Sequence, residues 1–204
     1  VLPGGARFVT TFNSTTVKLW TLDGALERTF DLVFVANSVA ALPDGVHFVL
    51  GLYNKEVRLY HVDGTLVHTF KGHTEFVLSV AVTPDGQHII SGSKDNLVKV
   101  WSVASKSLVS TCAGHTDDVN AVAAMPDGQR FLSGSDDCTV RVWLLDGTHQ
   151  NTFELHTECV AALVALPDNQ HALSGARFHG VKLFNVNDGA VLRTFKHHTR
   201  GVLS

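Results

Sequence analysis

The sequence lacks an excess of either charge: 16 Lys and Arg stand against 19 Asp and Glu, a net of −3. No basic stripe gathers anywhere, which argues against a nucleic-acid surface. Long hydrophobic runs are missing too. No stretch approaches the roughly 18 consecutive apolar residues of a membrane helix, so membrane insertion is not expected. Cysteine is scarce, and Cys112, Cys138 and Cys159 are odd in number with no paired spacing. That excludes a disulfide framework and favours a reducing compartment inside the cell, cytoplasm or nucleus. No window carries a convincing 3.6-residue apolar period, so helices are not expected. There is no Gly-x-Ser-x-Gly elbow and no glycine-rich loop ahead of a helix, which removes the usual signs of a hydrolase or a phosphate cradle. The chain opens "VLPGG" with no initiator methionine and ends "GVLS" in what reads as the start of a strand. It is expected to be part of a longer chain, so the missing targeting signals exclude nothing.

What is present is regular. The five prolines, Pro3, Pro43, Pro84, Pro126 and Pro167, are spaced by 40, 41, 42 and 41 residues. Each opens a near-copy of one turn: "LPGG", "LPDG", "TPDG", "MPDG", "LPDN". Seventeen positions after each comes a bulky aromatic: Trp20, Tyr60, Trp101, Trp143, Phe184. A histidine precedes three of the prolines by eleven (His73, His115, His156), and His198 keeps the step. "GSKDNLVKVW" and "GSDDCTVRVW" repeat a whole segment 42 residues apart. Several marker series sharing one period identify a repeat array.

One repeat reads as four strands. In the third, "FVLSVAV" is a mostly apolar run ended by Pro84-Asp85-Gly86, where proline presets φ and glycine takes the positive φ. It is expected to be buried on both faces. "QHIISGS", the alternating "LVKVWSV" and "SLVSTCA" supply the remaining strands. The other copies place Asp-Gly (Asp23-Gly24, Asp63-Gly64, Asp146-Gly147, Asp188-Gly189) between the third strand and the fourth, a strong hairpin signal. A four-stranded antiparallel meander cannot bury both faces alone, so the units must stack, and at this period they stack radially as propeller blades. The chain is expected to be all-β, a single domain over residues 1–204 with about five blades.

The pairs Gly72-His73 and Gly114-His115, the "SGS.D" segments and the closing tryptophans resemble the WD-repeat β-propeller family. The aspartate that would follow the tryptophan is absent in all five copies. The resemblance implies a ring that is usually seven-bladed, so this chain is expected to be an incomplete one. It also implies a hydrogen-bonded chain of His, Ser, Asp and Trp within a blade: His73, Ser91, Asp95 and Trp101 in one repeat, His115, Ser133, Asp137 and Trp143 in the next. A buried network of this kind works only if every member is satisfied, which ties spacing to identity. The other repeats are incomplete. Repeat five has His156 and Ser174, with Phe178 and Phe184 in the Asp and Trp slots. Repeat two has Leu32, Leu50, Asn54 and Tyr60; repeat one has Thr10, Ser14 and Trp20.

The 12 histidines could suggest a metal. Yet four occupy the network slot, and His47, His88 and His171 recur once per repeat, which puts them on separate sheets around a ring rather than around one ion. His197-His198 is an adjacent pair without a third ligand. No metal, cofactor or catalytic residue is expected, and Cys138 and Cys159 are read as unreactive.

In the resembled family, partners dock on the narrower face, on loops before the first strand and between the second and third. By offset these positions are Val35, Asn37 and Tyr53; Phe76, Leu78 and Lys94; Asp118, Asn120 and Asp136; Cys159, Ala161 and Arg177; and Asn13. The expected role is a non-enzymatic scaffold that binds other proteins or peptides. The expected ligand carries an apolar anchor over Val35, Tyr53, Phe76 and Leu78 and a cation over the acidic fourth repeat, where Asp117 joins Asp118 and Asp136. The alternative is an architectural subunit held by its circumference in a multi-subunit complex. A minor one is a nucleic-acid-associated propeller.

Overall fold

The computed structural model describes residues 2, 7–11, 14–177 and 180–195, without the side chain of Ser14. Pro3, Asn13, Phe178, His197 and His198 lie outside the described residues. Within them there is no helix, and every sheet is antiparallel.

The first sheet orders β1 (Arg7–Thr11), β2 (Ser14–Thr21), β3 (Leu26–Ala41), β4 (His47–Leu52), β5 (Glu56–His61) and β6 (Leu66–Lys71). The second holds β7 (Val77–Val82), β8 (His88–Ser93), β9 (Val98–Ser102) and β10 (Ser107–Cys112). The third holds β11 (Val119–Ala124), β12 (Arg130–Ser135), β13 (Val140–Leu144) and β14 (His149–Phe153). The fourth holds β15 (Val160–Ala165), β16 (His171–Ala176), β17 (Gly180–Asn185) and β18 (Val191–Phe195). These are propeller blades, and the strands of repeat three match the four apolar runs within a residue or two.

Five repeats make four sheets because β3 belongs to two of them. Its first part pairs with β2 as the outer strand of blade one (Thr16↔Asp31), and its last part pairs with β4 as the inner strand of blade two (Ala36↔Leu52). Elsewhere Gly-His-Thr (72–74 and 114–116) or Leu-His-Thr (155–157) interrupts the chain here, because histidine must leave the strand to reach its serine. Repeat two has Asp31-Leu32-Val33 instead. With no glycine and no inward-seeking imidazole, the β-favouring run simply continues.

The turns follow their residues. Gly45, Gly86 and Gly128 take φ of 74°, 71° and 65° after Pro-Asp, and Asn169 takes 59° in the copy that lacks glycine. Asparagine is the side chain that tolerates this region best. Asn169 also accepts from Asp127 N (3.2 Å) and donates to Asp127 Oδ2 (3.0 Å), tying the turns of adjacent blades.

The cores lie between blades, as stacking requires. Leu42, Val49, Val57, Leu59 and Phe70 of blade two pack on Val77, Val80, Ile89 and Trp101 of blade three. Ile90, Val98, Val100 and Cys112 pack on Val119, Val122, Phe131 and Trp143 of blade four. Leu132, Val140 and Val142 pack on Val160, Leu163, Ala172 and Phe184 of blade five.

The inner strands differ from simple alternation. Each carries a β-bulge at the same point: Ala36/Ser38, Val77/Ser79, Val119/Ala121 and Val160/Ala162. The bulge puts residues three apart on one side, so Val77 and Val80 both meet Gly51 of the preceding blade. A Cβ on Gly51 would lie 2.8 Å from Val77 Cγ1. On Gly92 it would lie 2.7 Å from Val119 Cγ1, and on Gly134 2.5 Å from Val160 Cγ1. The expectation of a strand buried on both faces is therefore corrected: Val77 and Val80 are buried, while Leu78 and Ser79 are only half-buried and face an open cleft.

Candidate functional site

The bulged residues are Asn37, Leu78, Asn120 and Ala161. Turned out of the ladder, they line a cleft of about 500 Å³ with Ser38, Ser79, Asp136, Cys159 and Arg177. Bulges commonly re-aim side chains in this way beside functional sites. The cleft floor is stitched from blade to blade. Ser38 Oγ accepts from Val80 N (3.1 Å), Ser79 Oγ accepts from Val122 N (3.1 Å), and Asn37 Nδ2 donates to Leu78 O (2.7 Å).

Around the rim, three blade junctions among the described residues each join one residue from the turn between the second and third strands to one just before the next inner strand. Tyr53 stacks on Phe76 with ring centroids 4.8 Å apart and planes 8° from parallel. Lys94 Nζ lies 2.9 Å from Asp118 Oδ2. That contact, with Asp136 and Tyr53 also facing it, raises the Lys94 pKa. Asp136 is hydrogen-bonded by Cys159 and accepts from Asn120 Nδ2. One slot thus holds three chemistries: an aromatic stack, an ion pair and a carboxylate with a thiol. Val35 O accepts from Tyr53 N (3.0 Å), which holds Val35 beside the aromatic pair. Arg177 N donates to Cys159 O (3.1 Å), and its side chain is exposed at the cleft edge. The predicted face residues that are described therefore lie along one rim, and Lys94, whose backbone N–H donates to Phe76 O (2.9 Å), sits beside the apolar group and also pairs with Asp118.

The buried network has the following geometry. His73 Nδ1 is 2.9 Å from Asp95 Oδ2, His73 Nε2 is 2.8 Å from Ser91 Oγ, and Trp101 Nε1 donates to Ser91 Oγ at 2.8 Å. In blade four the corresponding distances are 2.7, 2.7 and 2.8 Å for His115, Asp137, Ser133 and Trp143. Both aspartates also accept from the loop amide beside the histidine, Thr74 N (2.8 Å) and Thr116 N (3.1 Å). Burial pushes the Asp137 carboxyl up, but hydrogen bonds from Thr139 and His115 outweigh it and hold the pKa at about 2. Burial lowers the His115 pKa against the pull of Asp137. In blade five His156 Nε2 keeps its contact with Ser174 Oγ (2.7 Å), and the buried Phe184 ring replaces the indole. In blade one Trp20 Nε1 donates to Thr10 Oγ1 (2.9 Å). In blade two Leu50 and Tyr60 are buried, and Asn54 donates to Glu56 Oε2 (2.8 Å).

At the recurring position four after proline, His47, Arg130 and His171 pair with their own turn aspartates, whereas His88 Nδ1 is buried without a hydrogen-bond partner among the described residues. His47 and His171 each lie 2.6 Å from Asp44 and Asp168, and Arg130 Nε donates to Asp127 Oδ2 at 2.8 Å. Among the described residues no group of three or more His, Cys, Asp or Glu could hold a metal ion. All three cysteines are free thiols. Burial raises the Cys112 pKa to about 11 and also raises those of Cys138 and Cys159. Sequence reasoning missed Ser38 and Ser79 as ties between blades and Cys159 as the partner of Asp136. The first two do stand one period apart, which was an available signal.

Residues 64–102 and 106–143 match the family model described as "WD domain, G-beta repeat". Over 33 residues, 16% of the chain, the sequence is 61% identical to the transcriptional repressor tup12 of Schizosaccharomyces pombe, of which the match covers 6%. It is 62% identical over 32 residues, 16% of the chain, to the transcriptional repressor rco-1 of Neurospora crassa, covering 5% of it. It is 50% identical over 36 residues, 18% of the chain, to a ribosome biogenesis protein BOP1 homolog of Drosophila grimshawi, again covering 5%.

Proposed function

Because residues 64–102 and 106–143 match the WD-repeat family model, we propose that the chain is a non-catalytic scaffold that binds a peptide or domain of another protein on the cleft face. The carrying observation is the contrast between core and rim. The buried network and the Gly–Val joints repeat from blade to blade, whereas the same rim slot holds Tyr53–Phe76, Lys94–Asp118 and Asp136–Cys159 in turn. A surface that differs at every junction offers one address instead of several equivalent ones. Tyr53 and Phe76, with Val35 and Leu78, supply a rigid apolar anchor of the kind that dominates binding energy. Asp136 and the exposed Asp117 give blade four a negative surplus that suits a basic residue. The same surplus disfavours nucleic acid.

Affinity for each captured partner is to be measured with Phe76→Ala and with Asp118→Lys. A loss of about tenfold or more in either supports the reading; unchanged affinity for every partner ends it.

The architectural alternative keeps one observation in its favour. The outer strand of blade five, β18, is exposed at every residue, including Val191, Leu192 and Phe195. Cross-linking separates the two readings: links at Lys94 favour the face, links at Lys106 the circumference. The matched relatives are far longer than the match, so neither repression nor ribosome biogenesis is carried over. No helix among the described residues is long and apolar enough to cross a membrane. The free thiols support a reducing compartment, cytoplasm or nucleus.

A further inference from the structure

The rim's charges decide what else the ligand must carry. Lys55 lies 3.2 Å from Glu75 Oε1, and Lys94 lies 2.9 Å from Asp118 Oδ2. Arg58, on the strand that follows Lys55, is held by Glu56 at 2.7 Å. Arg177 occupies the same turn slot as Tyr53, Lys94 and Asp136 and is fastened there by its backbone N–H to Cys159 O. Its guanidinium has no hydrogen-bond or ion-pair partner among the described residues. Asp136, the nearest rim acid in the series, is already engaged by Asn120 and Cys159.

Between the aromatic pair and Arg177, Asn37 and Asn120 spend their Nδ2 groups on Leu78 O and Asp136 Oδ1. Each amide oxygen is left without a partner among the described residues, beside the cleft, where it can accept from a backbone N–H of an extended ligand.

We propose that Arg177 receives an acidic side chain of the bound peptide. This rests on the cleft face being the binding face, and it orders the ligand: an apolar anchor at Tyr53 and Phe76, a cation at blade four, and an Asp or Glu at Arg177. A guanidinium at a cleft mouth is suited to this task because it takes a carboxylate bidentately and carries its charge at every physiological pH.

The test is a random dodecapeptide library, displayed with blocked C-termini, selected in parallel on the wild-type chain and on Phe76→Ala, Arg177→Gln and Arg177→Glu. Arg177 is exposed, so its variants fold. Wild-type selections are expected to enrich Asp or Glu at one fixed distance from an apolar residue. Arg177→Gln loses that enrichment, and Arg177→Glu replaces it with Lys or Arg. A synthetic peptide from the wild-type pool is expected to lose about tenfold in affinity on Arg177→Gln, and Glu→Gln in the peptide costs nothing further on that variant. Peptides that depend on Phe76 but carry the same acidic content on all three Arg177 types overturn the assignment of Arg177 alone. A library that yields no peptide sensitive to Phe76 or Arg177 overturns it together with the binding face.

Discussion

Ser133 sits at the centre of its blade's polar chain, accepting from the Trp143 indole and facing His115 Nε2. Removing it leaves two buried groups without a partner. Ser133→Ala is therefore expected to lower unfolding free energy by about 2 kcal/mol, and Ser174→Ala, where no indole is present, by about half as much. Urea titration checks both. The same network sets the response to acid. The His115 pKa is lowered in the fold, so its contribution is complete above about pH 6.5 and declines as the pH falls below that, because the unfolded chain takes up the proton first. Asp137 is held at about 2. Its contribution is complete above about pH 3.9 and is lost as the pH approaches 2. Urea midpoints are expected to fall in two stages on acidification, and Asp137→Asn should flatten the lower one; a midpoint constant from pH 7 to 5 contradicts the part assigned to His115. Cys138 makes the opposite case, a residue against its local interest. It holds φ at 68° in a turn where blade three has Asn96 at 65°. Cys138→Asn is expected to stabilise by about 1 kcal/mol.

At the scale of strands, the joints between blades are the sensitive points. Gly134→Ala would press a methyl to 2.5 Å from Val160 Cγ1, a branched side chain with little room to yield. It is expected to cost about 2 kcal/mol, with most of the loss recovered in Gly134→Ala/Val160→Ala; absence of rescue would mean the clash is not the cause. Much at this scale was legible in the sequence. Pro-Asp-Gly and Asp-Gly turns carry their own φ requirements, and a 41-residue period leaves few architectures open. The bulges were not legible. Apolar alternation assumes an unbroken ladder, and one extra residue reverses which side chains point inward, so Val80 reads as facing the same way as Leu78 when it does not. The slots that form the rim could be found by counting from the histidines. That Lys94 would meet Asp118, and Tyr53 meet Phe76, depends on how one blade is set against the next, which no single repeat encodes.

The whole molecule is built from units that share a plan and differ in how completely they realise it. Blades three and four carry the full polar chain and the two buried tryptophans, while β18 of blade five is exposed throughout. Stacked arrays are stabilised unit by unit, so protection should be uneven. Hydrogen exchange is expected to be slowest in β8, β9, β12 and β13 and fastest in β18; uniform protection would mean the network adds nothing to local stability. The first two blades are a separate case, because β3 runs through both without a break. A hinge needs a hinge-line, and here the backbone itself crosses the place where one would be. When the two ends of the chain are drawn apart under load, blades three, four and five can be released one at a time at their loops. Blades one and two must give way in shear as a single mechanical body, at one larger extension step.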